Sequence, residues 1–419
     1  MMHGSRIRGL LSAALVLAAA SARATDGYFS HGFGTPYKAM AGAGSALPLG
    51  TWAPATNPAG LAFVGDRYDI GIAVFNPNRE YSVSGGPSGF PGTFGLATGT
   101  VESGSRYFPL PSLGGSWAIG PKVVLGMALY GNGGMNTDYA ASTFGGGPTG
   151  VDMAQMFAAP TLAYTLTPDH ALGVTAVLAY QRFEAKGLAS FAPMSSDPTH
   201  LTDLDHASSW GAGLRLGYQG RLTSWLRLGA SYQTRVNMTE FDEYAGLFAE
   251  KGGFDIPQNL VGGIAVMPLD ALTLVFDVQW IDYDSVRSVG NDFLPNLMQA
   301  PLGAAGAAGF GWHDMTVYKA GVQLETGTTW TWRAGYSYGQ GPIRSNEVLI
   351  NILAPGVMEH HVSAGVTKIL SQGKALNLAI TRALPASVSG PNNLDAPGFQ
   401  SIELSMDQWE IDLSYSFGF

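Results

Sequence analysis

The chain closes with Trp409-Glu-Ile-Asp-Leu-Ser-Tyr-Ser-Phe-Gly-Phe419, and the reading of this stretch decides the fold. Ile411, Leu413, Tyr415, Phe417 and Phe419 share one parity; Glu410, Asp412, Ser414, Ser416 and Gly418 share the other. Successive side chains of a strand point to opposite faces, so the segment has one apolar face and one polar face. A soluble sandwich offers the same alternation. A terminal strand rich in aromatics fits better the closing strand of an outer-membrane β-barrel, whose apolar face meets lipid and whose polar face meets the lumen. Tyr415, Phe417 and Phe419 are then the expected signal for the barrel-assembly machinery.

The amino end points to the same compartment. Arg6 and Arg8 precede an apolar run from Leu10 to Ala20, and Ala22-Arg-Ala24 supplies a small-x-small cleavage pattern. Residues 1–24 therefore read as a secretory signal peptide. A membrane anchor is the alternative, but a run of about eleven apolar residues falls short of the roughly twenty a helix needs to span. There is no cysteine, hence no disulfide framework and no thiol chemistry. Loss of Arg6, Arg8 and Arg23 would take the formal charge from −9 to −12 (−9 less 3). So acidic a chain does not suit nucleic acid, which wants a basic face.

Beyond the leader no apolar run is long enough for a helical span. The 57 glycines, 13% charged residues and 11% aromatics suit a barrel wall with small lumenal side chains and aromatic girdles. Period-2 alternation begins at 68–74 and recurs in hairpins: 113–119 with 123–129, 156–166 with 171–182, and 208–219 with 225–236. It continues at 259–267 with 271–282, 314–325 with 329–338, and 360–369 with 375–382, and ends at 409–419. The fold class is an all-β, transmembrane antiparallel β-barrel of about 14 strands, spanning 67–419. Short turns alternate with long loops at 85–107, 131–155, 187–207, 239–257, 285–312, 340–358 and 385–405, the asymmetry between the two rims of such barrels.

Residues 25–66 break the series. They are rich in Gly and Ala, lack alternation, and carry Tyr28, Phe29, Phe33, Met40, Leu47, Trp52 and Phe63, too apolar for a disordered tail. A compact N-terminal hatch inside the lumen uses those groups better, with a turn at Asn57-Pro58-Ala59-Gly60.

The plug segment ending Ala55-Thr-Asn-Pro-Ala-Gly-Leu61, followed by Tyr68–Val74 and Phe75-Asn-Pro-Asn78, resembles the hatch and first strand of the FadL family of outer-membrane long-chain fatty-acid transporters. Trp332-Arg-Ala-Gly-Tyr-Ser-Tyr338 and Leu353-Ala-Pro-Gly356 before His360-His361 extend the resemblance along the chain. It implies a hatch-closed barrel in the bacterial outer membrane. A hydrophobic ligand would be caught by outer loops, pass to a lumenal pocket, and leave sideways where an early strand is kinked. The expected ligand is a long-chain fatty acid, with alkanes and aromatic hydrocarbons as alternatives. The other expected partners are membrane lipid and lipopolysaccharide around a monomer.

Gly131, Asn132, Gly133 and Gly134 form a run that weakens pairing and permits a bend, or else begins a loop. A ligand carboxylate needs a cation to leave water. Parity puts Arg215, Arg235, Lys319 and Arg333 on the lumen face. Arg235 and Lys319 are the expected carboxylate partners, Arg182 and Lys186 the reserves, while Arg215 and Arg333 are expected to pair with Asp277 or Glu359.

Competing chemistry is thin. No P-loop occurs, and Gly32-Phe-Gly34 and Gly42-Ala-Gly44 each lack a third glycine. His360 and His361 are adjacent and point to opposite faces of a strand, so they cannot share a metal. No catalytic residue, metal or cofactor is expected. A general porin would have the same wall around an open lumen, which the 25–66 segment opposes. An outer-membrane lipolytic enzyme would need a Ser/His pair on the wall or rim.

Overall fold

The computed structural model describes residues 26–371 and 373–418. The expected leader and the terminal Phe419 lie outside them. Fourteen strands form one antiparallel ring: β1 (Arg67–Ser84), β2 (Phe108–Ala118), β3 (Val123–Tyr139), β4 (Thr149–Thr167), β5 (His170–Lys186), β6 (Ala207–Thr223) and β7 (Leu226–Gln233), then β8 (Asn259–Leu269), β9 (Leu272–Ile281), β10 (Met315–Thr326), β11 (Trp330–Gly339), β12 (His360–Ser371), β13 (Lys374–Pro391) and β14 (Ser401–Gly418). Each pairs with its chain neighbours, and β14 closes on β1 from Arg67↔Gly418 to Ser84↔Ser401. Two short additions, 99–102 on β1 and 237–238 on β6, lie beside the ring. Closure removes the free edges that would otherwise expose unpaired backbone to lipid.

The alternation of the last strand holds in space. Ile411, Leu413 and Tyr415 are exposed, while Glu410, Asp412, Ser414 and Ser416 are buried. Aromatics gather near strand ends, as in Trp117 Nε1 donating to Tyr68 Oη at 3.0 Å near one rim and Tyr180 against Trp210 toward the other. Such amphipathic rings suit the lipid headgroup level.

The strands run further than hydrophobic alternation predicts on the long-loop side. β3 continues to Tyr139 and β4 starts at Thr149, so the expected 131–155 loop shrinks to 140–148. The 385–405 loop likewise shrinks, with β13 reaching Pro391 and β14 starting at Ser401. The extensions rise above the apolar band. There neither face has to be greasy, and the period-2 signal fades although the ladder persists.

Residues 26–66 sit against the inward faces, almost wholly buried. Gly44 N, Ser45 N and Ser45 Oγ donate to the Asp277 carboxylate, each at 2.8 Å. Thr51 N and Oγ1 donate to Asp69 Oδ2 at 2.8 and 2.7 Å. Lys38 pairs with Glu410 and Asp412 of β14. Wall glycines let the backbones approach: a Cβ on Gly229 would stand 2.1 Å from Ser45 O, and one on Gly335 2.1 Å from Met40 C. Asn57 caps the Pro58–Phe63 3-10 helix and donates from Nδ2 to Ser45 O and Tyr218 O at 2.8 Å. The expected pairing of Asp277 with Arg215 does not form. Arg215 bonds Gln233, and Arg333 bonds Gln323 and Thr367. The amides of residues 44 and 45 claim Asp277 because a charge-assisted bond to fixed donors needs no second desolvated ion.

Asp277→Ala removes three donors' shared acceptor inside the lumen. It should loosen the docking of residues 44–45 by about 3 kcal/mol, since buried amides are left unpaired. The check is hydrogen exchange at the Gly44 and Ser45 amides, which should speed up while the wall amides keep their protection.

Candidate functional site: a window between β2 and β3

Among the described residues the ring is interrupted between β2 and β3. β2 pairs with β1 from Arg67↔Ser116 to Phe75↔Phe108. It pairs with β3 only from Ala118↔Val124 to Leu113↔Leu129. Above that point residues 108–112 have no partner on β3. Pro109 and Pro111 stand at alternate positions there, and proline removes ladder donors from one edge of a strand. The wall resumes higher up, where Ser103 bridges Tyr139 and Gly104 N donates to Asp138 O at 2.7 Å.

The free edge of β3 is used from inside. Ser30 N donates to Asn132 O at 2.8 Å, Gly134 N donates to Tyr28 O at 3.1 Å, and Phe29 bridges Gly133. The β3–β4 register shifts between Gly131 and Gly133, a bulge that turns the Asn132 side chain to Gln155 at 2.8 Å. Gly133 has φ +153°, and a Cβ there would stand 1.8 Å from Tyr28 O. A Cβ on Gly134 would stand 2.2 Å from Met153 O. Gly131 has only ordinary contacts, with Gln155 O at 3.7 Å and Leu110 Cδ2 at 3.9 Å. So 131–134 is neither a loop start nor a stretch where larger residues would restore pairing. It is a bulged strand that receives the backbone of residues 28–30.

Beside the gap lies a cavity of about 170 Å³, lined among others by Phe29, Phe75, Phe108, Leu110, Met135 and Trp312. Tyr28 anchors its inner side in an aromatic cluster, with ring centroids 5.2 Å from Tyr283 and 5.8 Å from Trp312. The lining also carries Arg79, Gln155 and Glu410, so the cavity has an apolar side and a polar one.

The family described as Outer membrane protein transport protein (OMPP1/FadL/TodX) matches residues 11–395. The chain belongs to this family. It is accordingly a FadL-type β-barrel of the bacterial outer membrane, in a family of transporters of hydrophobic compounds. Its fold is similar to that of the Pseudomonas putida toluene transporter TodX, at 18% identity and TM-score 0.68, covering 93% of this chain and 99% of that one. A Pseudomonas aeruginosa FadL homologue matches at 15% identity and TM-score 0.69, covering 94% and 100%. The Ralstonia pickettii toluene transporter TbuX matches at 18% and 0.61, covering 93% and 99%. No protein of curated function matches the chain.

The four basic side chains expected to face a ligand are occupied elsewhere. Lys319 donates to Asp26 Oδ2 and His31 O, both at 2.8 Å, and so ties down the start of the N-terminal segment. Arg235 lies past the end of β7, bonded to Ser285 O at 2.7 Å with Asp255 at 3.7 Å. Arg182 pairs with Asp152 at 2.8 Å and Lys186 with Glu184 at 3.0 Å, both largely solvated. None of the four lines the cavity. The cation that does is Arg79, on the lumen face of β1. Continuing the parity of Asp69 and Ala73 through Phe75 and Pro77 would have found it. The alternation of apolar residues ends at Val74, and the sequence reading stops there.

Contrary to the expectation that neither a complete Gly-x-Gly-x-x-Gly nor a Gly-x-Ser-x-Gly is present, both spacings occur. Gly145-Gly-Gly147-Pro-Thr-Gly150 has the glycine spacing of a dinucleotide loop, but it joins strand to strand, with no helix to receive a phosphate. Gly335-Tyr-Ser337-Tyr-Gly339 has the spacing of a nucleophile elbow, and Ser337 Oγ lies 3.2 Å from His361 Nδ1. It lies in regular strand β11, Ser337 is fully buried, and His361 Nε2 bonds no carboxylate. Without an orienting acid or a free oxyanion hole the pair lacks the parts that acyl transfer needs. Ser337 and His361 serve the wall.

Proposed function

We propose that this FadL-type barrel carries long-chain fatty acids passively across the outer membrane and releases them sideways through the β2–β3 window. The observation that carries this reading is the unpaired stretch 108–112 opposite 130–134, opening beside an apolar cavity. We further propose that residues 1–24 are a cleaved leader, 25–66 a hatch, and 67–419 the barrel. Outer loops would take the ligand from solution, and the cavity would shelter part of its chain. The rest would reach lipid through the gap. Each buried methylene contributes about 0.8 kcal/mol, so transfer from water to bilayer needs no other driving force.

A second reading, uptake of aromatic hydrocarbons, is favoured by the rings of Phe29, Phe75, Phe108 and Trp312 around a small cavity. A cavity of roughly 150 Å³ suffices for benzene. The test is uptake of labelled hexadecanoate, hexadecane and toluene by cells displaying this barrel as their sole transporter. Faster hexadecanoate uptake than in barrel-free cells supports the first reading, and toluene alone supports the second. Ion conductance without uptake of any of the three would make the protein a porin.

A further inference from the structure

Arg79 is a buried cation that forms no salt bridge among the described residues. It is 7% exposed. Nη1 donates to Asn136 O of β3 and Nη2 to Ser105 O, so the guanidinium reaches across the upper lip of the window. Its Cζ lies 5.6 Å from the Phe108 ring centroid, and Nε is buried with no acceptor. The buried lysines differ: Lys38 meets Glu410 and Asp412, and Lys319 meets Asp26. Glu410, the carboxylate lining the same cavity, is salt-bridged to Lys38, which it shares with Asp412. Arg79 also borders a second, polar cavity of about 530 Å³, in which Glu102 is paired with Arg106 and Asp407 with Arg382. It therefore stands where an apolar space meets a polar one.

A guanidinium taken out of water into such a place is costly unless an anion joins it. Two backbone carbonyls hold it in position, and Nε with the adjacent Nη offers the planar fork that matches a carboxylate. Resting on the transport reading above, we propose that Arg79 receives the carboxylate of the transported acid at the upper lip of the window, while its alkyl chain lies along Phe75, Phe108 and Leu110 toward the lipid. The cavity would then distinguish long-chain acids from hydrocarbons of the same length.

The test measures equilibrium binding of hexadecanoate and of neutral hexadecanol to the full-length protein in detergent, for wild type, Arg79→Gln and Arg79→Lys. Arg79→Gln should weaken hexadecanoate binding about ten- to a hundredfold and leave hexadecanol within about twofold; Arg79→Lys should recover part of the loss. Equal losses for acid and alcohol, or no loss for either, overturn the assignment. Should a variant fail to fold, the wild type still decides. It should prefer hexadecanoate to hexadecanol only above the acid's pKa, and an absent preference counts against Arg79. Wild type that binds the alcohol but not the acid overturns this assignment alone; wild type that binds neither overturns the transport reading with it.

Discussion

Deletion of residues 26–60 is expected to turn a closed barrel into an ion-conducting one. The segment lies against the inward wall faces and is held by the Asp277, Asp69 and Glu410 carboxylates, all on wall strands that pair without its help. A barrel of fourteen strands is close to the size at which porins leave an aqueous channel, so conductance should rise on the order of tenfold or more. The ladder between neighbouring strands survives the deletion. The shortened chain should therefore insert and keep its heat-modifiable migration. Planar-bilayer recordings at the parent level, from a protein that has inserted, would show that the lumen is closed by something other than residues 26–60.

Gly133→Val should be among the more disruptive single substitutions in the wall. The left-handed φ of +153° is strained for valine, and the Cβ would overlap Tyr28 O at 1.8 Å. Neither atom can move cheaply, because Tyr28 is fixed by its aromatic cluster and Gly133 by the β3–β4 ladder. Residues 28–30 would be driven off β3, at a cost of about 3 kcal/mol or more. Ligand affinity should fall roughly tenfold or more as the cavity loses its inner wall. Gly131→Ala, whose new methyl meets nothing closer than 3.7 Å, should leave affinity within about twofold. Ligand titrations of the two variants check the contrast, and similar affinities for both would mean that the Tyr28–Gly133 contact has no part in the site.

Much of this architecture can be read from the chain. The lipid imposes a strict rule on one face of every strand, so Ile411, Leu413 and Tyr415, or Ile70, Ile72 and Val74, announce their strands without help from tertiary structure. The non-alternating 25–66 segment is legible for the same reason, as the part of the chain the rule does not govern. The lumen is different. Its polar side chains choose partners among several strands and the N-terminal segment at once, and parity gives direction but no partner. Hence Lys319 points inward but meets Asp26, nearly three hundred residues away in sequence. The glycines at 131–134 flag an irregularity, but whether it is a loop, a bend or a bulge depends on residues 28–30 docking there. Arg79 stayed hidden because it lies where β1 has risen above the greasy band.

Exit of ligand through the gap between β2 and β3, as proposed, is open to a direct test because the chain has no cysteine. Cysteines at Leu110 and Gly131 would face each other across the window, since a Cβ on Gly131 lies 3.9 Å from Leu110 Cδ2 and fits without strain. Bridging them with a short bifunctional thiol reagent should close the gap while the lumen and residues 26–66 stay as they are. Uptake of hexadecanoate by cells displaying the double variant is the measurement. Near-complete loss on bridging is expected, with full uptake in either single-cysteine variant treated alike. Undiminished uptake through a fully bridged window would contradict it.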